Sequence, residues 1–237
     1  MIKYQAIAND IKKKITDGKY MPGDQLSLEK EMCEEYSVSR ITIKRAVDEL
    51  VNLGLIVKRR GSGTFVKSIE DEEDIRELSM ARQFAGFAET NKGHEIGTVV
   101  IKFDIDHPSK EVAAKLQLTT EDFVYDIIRA RSADDQAIVI EYTKMPIQLI
   151  AGLKKEHIES SIYSYIQDKL HLKIQSAHRT IRAVMPTSLE KKYLKIDKEL
   201  PLLEIEQVAF LDDGSPFEYS ISRHRGDKIA FKTVSIR

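Results

Sequence analysis

Ser39-Arg40-Ile41-Thr42-Ile43-Lys44-Arg45-Ala46-Val47-Asp48-Glu49-Leu50-Val51-Asn52-Leu53-Gly54 decides how the first third of the chain reads. Ile43, Ala46, Val47, Leu50 and Leu53 recur at helical spacing and give the segment one buried face. Ser39 suits the N-cap, where its oxygen accepts a free amide, and Gly54 suits the stop. The start of this helix leaves Arg40, Thr42, Lys44 and Arg45 exposed. Immediately downstream, Leu55-Ile56-Val57-Lys58-Arg59-Arg60 and Thr64-Phe65-Val66 flank Gly61-Ser62-Gly63. Two β-rich runs about a glycine turn predict a hairpin.

Upstream, Tyr4, Ile7, Ala8, Ile11 and Ile15 form the apolar face of another helix, which Gly18 stops, and Pro22-Gly23-Asp24 turns the chain. A short helix follows Ser27, read as its N-cap, with Glu29 and Glu31 near the positive end, and it runs to about Tyr36. Ser37-Val38-Ser39 is then a tight turn. Helix, helix, turn, helix, hairpin is the order of a winged helix-turn-helix, mainly α with a β wing. A polar and basic helix start suits the major groove, and Lys58, Arg59 and Arg60 beside glycines suit close approach to phosphates. Each feature alone also fits a solvated surface. Their order is what points to DNA.

Charge is distributed in the same sense. Residues 1–67 hold 13 Lys/Arg against 9 Asp/Glu, a net of +4, and the remaining residues carry −5, within a total of −1. A small basic region joined to a larger acidic one fits a nucleic-acid binder with a separate sensor. No stretch approaches the ~20 apolar residues of a membrane helix. The N-terminus, with Lys3, Lys12, Lys13 and Lys14 and no apolar core, does not read as a signal peptide. A single cysteine, Cys33, leaves no internal disulfide framework and fits a cytoplasmic protein.

Ser68 to Glu77 reads SIEDEEDIRE, an acidic connector without an apolar face. The expected organisation is residues 1–67, a linker at 68–78, and a second domain at 79–237. Predicted strands in that domain are Ile96–Asp104, Phe123–Arg131, Ala137–Pro146, Lys173–Val184, Leu202–Phe210, Phe217–Arg223 and Ile229–Ser235. Predicted helices are Ser109–Leu116, Ser161–Lys169 and Ser188–Leu194. Tight turns at Asp134-Asp135-Gln136 and Asp212-Asp213-Gly214 imply an antiparallel sheet with packed helices, an α+β domain. A weak repeat runs through it. Leu116-x-Leu118 returns 78 positions later as Leu194-x-Ile196, Asp134-Asp135 as Asp212-Asp213, and Ile140-Glu141-Tyr142 as Phe217-Glu218-Tyr219, one residue shorter. Two related halves could set Glu141 and Glu218 about a shared cleft.

Arg129 and Arg131 lie two apart on a predicted strand, so both point to one face. Side by side they either bind an anion such as phosphate or carboxylate, or form ordinary surface ion pairs. Ser161 and Tyr163 open a predicted helix, where free amides favour an anion, although a plain N-cap with a packed tyrosine is the commoner arrangement.

Residues 4–66 closely resemble the DNA-binding domain of the GntR family of bacterial regulators. The resemblance rests on Ile7 through Gly18, Pro22-Gly23-Asp24-Gln25-Leu26, Ser39-Arg40-Ile41-Thr42, Ala46-Val47-Asp48-Glu49-Leu50, Gly54-Leu55-Ile56 and Gly61-Ser62-Gly63-Thr64-Phe65-Val66. It implies operator contacts from Lys30, Arg40 and Gly61, with Thr42 and Lys44 nearby. The exposed helix start and the wing add Ser39, Arg45, Arg60, Ser62 and Gly63 to the candidates. Lys30 stands where the family often has Arg, and Ser27-Leu28 where it usually has Pro-Ser.

The rest of the chain resembles, more loosely, the UTRA effector domain of the HutC subfamily. Val112 to Pro146 carries this resemblance, together with Ser161-Ile162-Tyr163 and Phe217-Glu218-Tyr219…Arg223-x-Arg225-Gly226-Asp227. It implies a chorismate-lyase-like fold, a six-stranded antiparallel sheet with flanking helices, that dimerises. It also implies that Arg129, Arg131, Ser161 and Tyr163 hold a phosphate. Glu141, Glu218, His224 and Arg225 would face the sugar, and backbone at Phe84, Ala85 and Gly86 would close over it. His224 stands where some relatives have Tyr.

The expectation is therefore a homodimeric regulator, a repressor of a sugar operon, that binds double-stranded operator DNA at an inverted repeat and senses a phosphosugar. An alternative is a regulator sensing a free sugar or a carboxylate. An enzyme is the other class, but the sequence offers no nucleophile–base pair, no glycine-rich nucleotide loop and no metal spacing among its six histidines. No catalytic residue, metal or cofactor is expected.

Overall fold

The computed structural model describes residues 3–68, 87, 91, 93–196 and 199–231. The chain divides into two compact units, one built on residues 3–68 and the other on 93–230.

In the first unit α1 (Lys3–Thr16), α2 (Glu29–Glu35) and α3 (Arg40–Asn52) pack around Ile7, Ile11, Met32, Ile43, Val47 and Leu50. Ile43, Ala46, Val47 and Leu50 are fully buried. Each of the larger ones contributes ~1.5–3 kcal/mol of burial, which is what makes a helix of this length stable. Ser39 caps α3 as its sequence predicts, its Oγ accepting from the Thr42 amide. Ser27 does not cap α2. Leu28 holds the cap position, and its amide donates to Oε2 of Glu31 at 2.8 Å. Where a serine hydroxyl was expected to accept an amide inside the helix, an acid one turn in accepts the amide of the cap residue itself. The wing is β1 (Ile56–Arg59) paired antiparallel with β2 (Gly63–Val66). Gln25 bridges to Phe65 alongside it.

The second unit is a six-stranded antiparallel sheet in the order β3-β4-β5-β8-β7-β6. The strands are β3 (Ile96–Asp106), β4 (Val124–Ala133), β5 (Gln136–Pro146), β6 (Ile174–Val184), β7 (Leu202–Leu211) and β8 (Pro216–Arg225). Helix α4 (Lys110–Leu116) links β3 to β4, and α7 (Ser188–Tyr193) links β6 to β7. Between β5 and β6 lie α5 (Lys155–Glu159) and α6 (Ile162–Ser164), which continues as a π-helical turn, Tyr165–Lys169. Five-residue α5 was not anticipated, because so short an element shows no helical periodicity. The expected strand at Ile229–Ser235 is not seen in its described part. Residues 229–231 carry no strand, and 232–235 lie outside the described residues.

The repeat is built into this topology. β3 and β6 have the same length and lie 78 residues apart, as do β4 and β7. Each half is strand, helix, strand, turn, strand, and the halves meet where β5 pairs with β8. Asp134 and Asp135 both take positive φ, 47° and 62°, as a two-residue turn between right-twisted strands requires.

Candidate functional site

On the first unit, the expected DNA-facing residues are brought to one helix start and one turn. Lys30, Ser39, Arg40, Lys44 and Arg45 are exposed, and Thr42 is half-buried against the Ser39 hydroxyl. Arg40 is 82% exposed yet paired through Nε with Glu29 at 2.9 Å. Exposed Arg60, Gly61 and Ser62 form the wing tip, with Gly61 at φ 76° in open space. Gly63 has a second reason to be glycine. At φ 124°, a Cβ there would stand 2.2 Å from Nε2 of Gln25, the atom that donates to the Ser62 carbonyl. Lys58 is tied to Asp48 at 2.6 Å, and Arg59 lies over the Phe65 ring. Arg60 is exposed and makes no ion pair or ring contact with a described residue.

On the second unit, strand register lines up side chains in rows across one face of the sheet. Arg131, Val139, His224 and Leu203 are successive register partners on β4, β5, β8 and β7. Arg129, Glu141, Ser222 and Ile205 make the next row, and Ile127, Thr143, Ser220 and Gln207 the one after. Helices α5 and α6 and the π-helical turn after them cover part of this face through Ile158, Ile162 and Ile166, which pack with Ile127, Met145 and Phe217.

Two buried guanidinium groups dominate the first two rows. Arg129 is 7% exposed, and its Nη1 donates to the Ile158 carbonyl in α5 at 2.9 Å. Its Nη2 meets Oε2 of Glu141 at 2.6 Å, and its Nε is buried without a partner among the described residues. Arg131 is 3% exposed and makes no hydrogen bond to any described residue. It has only a 3.8 Å approach to Glu141 and the Phe87 ring 4.8 Å from its guanidinium carbon. Burial pulls its pKa down to about 10, with Arg129 adding to the effect and Glu141 opposing it. His224 sits in the same row with a buried Nδ1 that has no partner among the described residues, and burial depresses its pKa to about 4. At neutral pH it is an uncharged imidazole. Two cations sharing one carboxylate, with three nitrogens unmatched, form a site suited to an anion.

Glu218 and Tyr163 form a separate cluster. Oε1 of Glu218 accepts from Ser220 Oγ at 2.7 Å, Gln207 Nε2 at 3.0 Å and the Tyr163 hydroxyl at 3.2 Å. Burial raises the pKa of both Glu218 and Tyr163. Tyr163, expected beside the phosphate, spends its hydroxyl on Glu218. Ser161 caps α6, its Oγ accepting from the Ser164 amide at 3.2 Å, so the commoner reading of that serine is the arrangement present.

Arg225 is not brought to this face. Neighbours on a strand point to opposite sides, so Arg225 and His224 cannot both line one pocket. Arg225 pairs with Asp227 at 2.8 Å and donates to the Leu194 carbonyl on the α7 side. Phe84, Ala85 and Gly86 lie outside the described residues. Ser220, Ser222 and Gln207 were missed from sequence. Strand parity counted from Glu218 along β8 would have admitted the two serines and excluded Arg225. A depression of about 290 Å³ lies on the opposite face between α4 and β6–β7, lined by Lys115, His178 and Glu206 among others, and it contains no paired arginines.

Residues 3–66 match the model for bacterial regulatory proteins of the gntR family, and residues 91–230 match the UTRA domain. The chain belongs to the GntR family. Its architecture is that of the HutC type, a helix-turn-helix head joined to a UTRA domain. It is 37% identical to the HTH-type transcriptional regulator GmuR of Bacillus subtilis, over the whole of both chains. The crystal structure of the possible transcriptional regulator YydK from B. subtilis has a TM-score of 0.78 at 26% identity, again covering both chains fully. The effector binding domain of the B. subtilis trehalose repressor has a TM-score of 0.54 at 30% identity, covering 60% of this chain and 98% of that one. This GntR protein is a transcription regulator and not an enzyme, with a DNA-binding head and a domain for a small-molecule effector. Among the described residues no helix is long and apolar enough to cross a membrane.

Proposed function

We propose that this regulator is a cytoplasmic homodimeric repressor of a sugar uptake or catabolism operon, controlled by a phosphosugar bound on the Arg129–Arg131 face. The observation that carries the reading is Arg131, a guanidinium 3% exposed and without a hydrogen bond to any described residue. An unmatched buried cation is costly, and a bound phosphate removes that cost by supplying acceptors to Arg131 and to Nε of Arg129. His224, neutral and with a free buried nitrogen, adds a donor or acceptor beside the anion. Glu141 and Glu218 serve the sugar. A named relative, the trehalose repressor, supports a sugar-linked role.

In the head, Arg40, Thr42, Lys44 and Arg45 enter the major groove, with Ser39 fixing the helix start. Lys30 and the wing residues Arg60, Gly61, Ser62 and Gly63 hold the backbone. The acidic stretch 68–78 is the linker between residues 1–67 and 79–237. A dimer places its recognition helices about 34–36 Å apart on an inverted repeat. Effector binding shifts the heads by differential affinity, for which ~1–3 kcal/mol of coupling is typical.

Thermal unfolding against sugar phosphates and the corresponding free sugars tests the effector class. A ligand at 100 times its dissociation constant adds about 2.7 kcal/mol. One phosphosugar should stabilise the wild type but not Arg129→Ala, with its free sugar inert. A shift produced only by carboxylates or free sugars would replace the phosphosugar reading while leaving the DNA-binding head intact.

A further inference from the structure

The start of α3 carries three exposed cations, Arg40, Lys44 and Arg45, and one exposed aliphatic side chain among them, Ile41. Ile41 is 69% exposed, the most exposed large apolar residue among those described, and it takes no part in the core of the head. Its place on the helix is the outermost one. Fully buried Leu50 lies nine positions on, about two and a half turns, so the two residues occupy opposite faces. Lys44 and Arg45, three and four positions on, stand beside Ile41 on the exposed face. In water a β-branched isoleucine favours a helix less than alanine does, so helix formation gives no reason for it.

The cations leave a gap in what this surface can read. Arg40 is held through Nε by Glu29 at 2.9 Å, which leaves its Nη groups as donors on a side chain 82% exposed. Arginine and lysine only donate, and in the major groove guanine O6 and thymine O4 both accept. Donors alone therefore separate these bases poorly. Thr42, the neutral polar residue of this turn, has its hydroxyl 3.0 Å from Ser39 Oγ. Thymine differs by its 5-methyl, an apolar group displayed beside O4 in the major groove. An aliphatic side chain gains by covering that methyl, whereas covering a polar base edge would cost that edge its water.

We propose that Ile41 is a specificity-determining residue that packs on the 5-methyl group of a thymine in the operator. Arg40, Lys44 and Arg45 fix the helix start on phosphates and acceptor edges, and Ile41 makes one position of the site read as thymine. The inference rests on the entry of α3 into the major groove proposed above.

Uracil lacks only that methyl, so the test pairs a substitution in the DNA with one in the protein. The full-length protein selects its preferred site from a random duplex library, and each thymine of that site is replaced by uracil in turn. At one thymine or more, loss of the methyl should weaken wild-type binding about fourfold, the equivalent of ~0.8 kcal/mol for one such group taken out of water. Ile41→Ala should bind the thymine and uracil duplexes equally. Met21→Ala, which trims a side chain 58% exposed that lies outside α3, should keep the fourfold difference. If no uracil weakens the wild type, or if Ile41→Ala keeps the full difference, the proposal is overturned. Arg40→Ala and Lys44→Ala separate that failure from failure of the groove reading. Should both bind the selected site as tightly as the wild type, or should no preferred site emerge, α3 does not read the groove and both readings fall. Should both lose affinity while uracil has no effect, the groove reading stands and only the role of Ile41 falls.

Discussion

The two faces of the six-stranded sheet both bury charge, but only one of them resolves it. On the α7 side, Glu190 is fully buried and accepts from Tyr142 at 2.5 Å, from Arg223 Nη1 at 2.7 Å, from the Thr187 amide at 2.6 Å and from the Thr187 hydroxyl. Glu204 takes Arg223 Nε and Arg182 Nη1, and Glu206 takes Arg182 Nη2 and Lys115. Each carboxylate is matched to donors. The opposite face holds Arg129, Arg131 and His224, and each has a buried nitrogen without a partner among the described residues. A closed network holds a fold together. An open one of the same composition is poised for a ligand, because buried groups left unmatched lower stability until something matches them.

The largest effect should come from opening the closed face. Glu190→Ala leaves Tyr142 without its acceptor and removes one of the two carboxylates that hold Arg223. Breaking a buried pair from one side costs ~3–5 kcal/mol, a fall of roughly 10 °C in unfolding midpoint for a chain of this size. A loss under ~1 kcal/mol by denaturant titration would mean this face does not carry the structural role assigned to it.

Acid should separate the faces in two windows. The His224 pKa falls from 6.5 to about 4 on folding, so the unfolded chain binds the proton more readily. Its contribution is complete above pH 6.5 and is lost as pH falls toward 4, a change of about 3 kcal/mol. Glu190 behaves differently. Burial pushes its pKa up, but the bonds from Thr187, Tyr142 and Arg223 prevail and hold it at about 2. Its contribution is present above pH 4.5 and disappears between 4.5 and 2. Unfolding free energies across pH 3–8 should therefore show an upper slope that His224→Phe removes and a lower one that it does not. A single slope unaffected by His224→Phe would contradict the buried neutral imidazole.

The same contrast explains what the sequence disclosed. The head was legible almost residue by residue, because local rules fix it: a serine cap at Ser39, a stop at Gly54 and apolar spacing along α3. The exception, Leu28 capping α2, depended on a side chain reaching back from Glu31. In the UTRA domain the six strands of the sheet were legible, though a seventh expected at Ile229–Ser235 is not seen in its described part, and the spacing of Arg129 and Arg131 put both on one face, as the register confirms. The sheet order was not, since pairing β5 with β8 is a contact between residues some eighty positions apart. Gln207 was invisible for the same reason. Its meaning comes from Glu218 on the neighbouring strand, which does not lie close to it in sequence.

The smallest predicted effect is the one that separates a binding site from a structural network. Arg131→Met keeps the length and apolar stem of the side chain and removes a guanidinium that is 3% exposed and makes no hydrogen bond to any described residue. Methionine still packs against the Phe87 ring, since sulfur–aromatic contacts are themselves favourable. Glu141 keeps its 2.6 Å bond to Arg129, so no new unpaired charge is created. Replacing buried charge by an apolar side chain of similar volume is often neutral or stabilising, and here the free protein should gain about 1 kcal/mol. Stabilisation by the effector should vanish at the same time. A structural arginine would give the opposite pattern, with stability lost and ligand response retained. Denaturant titration of Arg131→Met with and without saturating ligand gives both values in one experiment, and a destabilised variant that still responds to ligand would move the anion site away from Arg131.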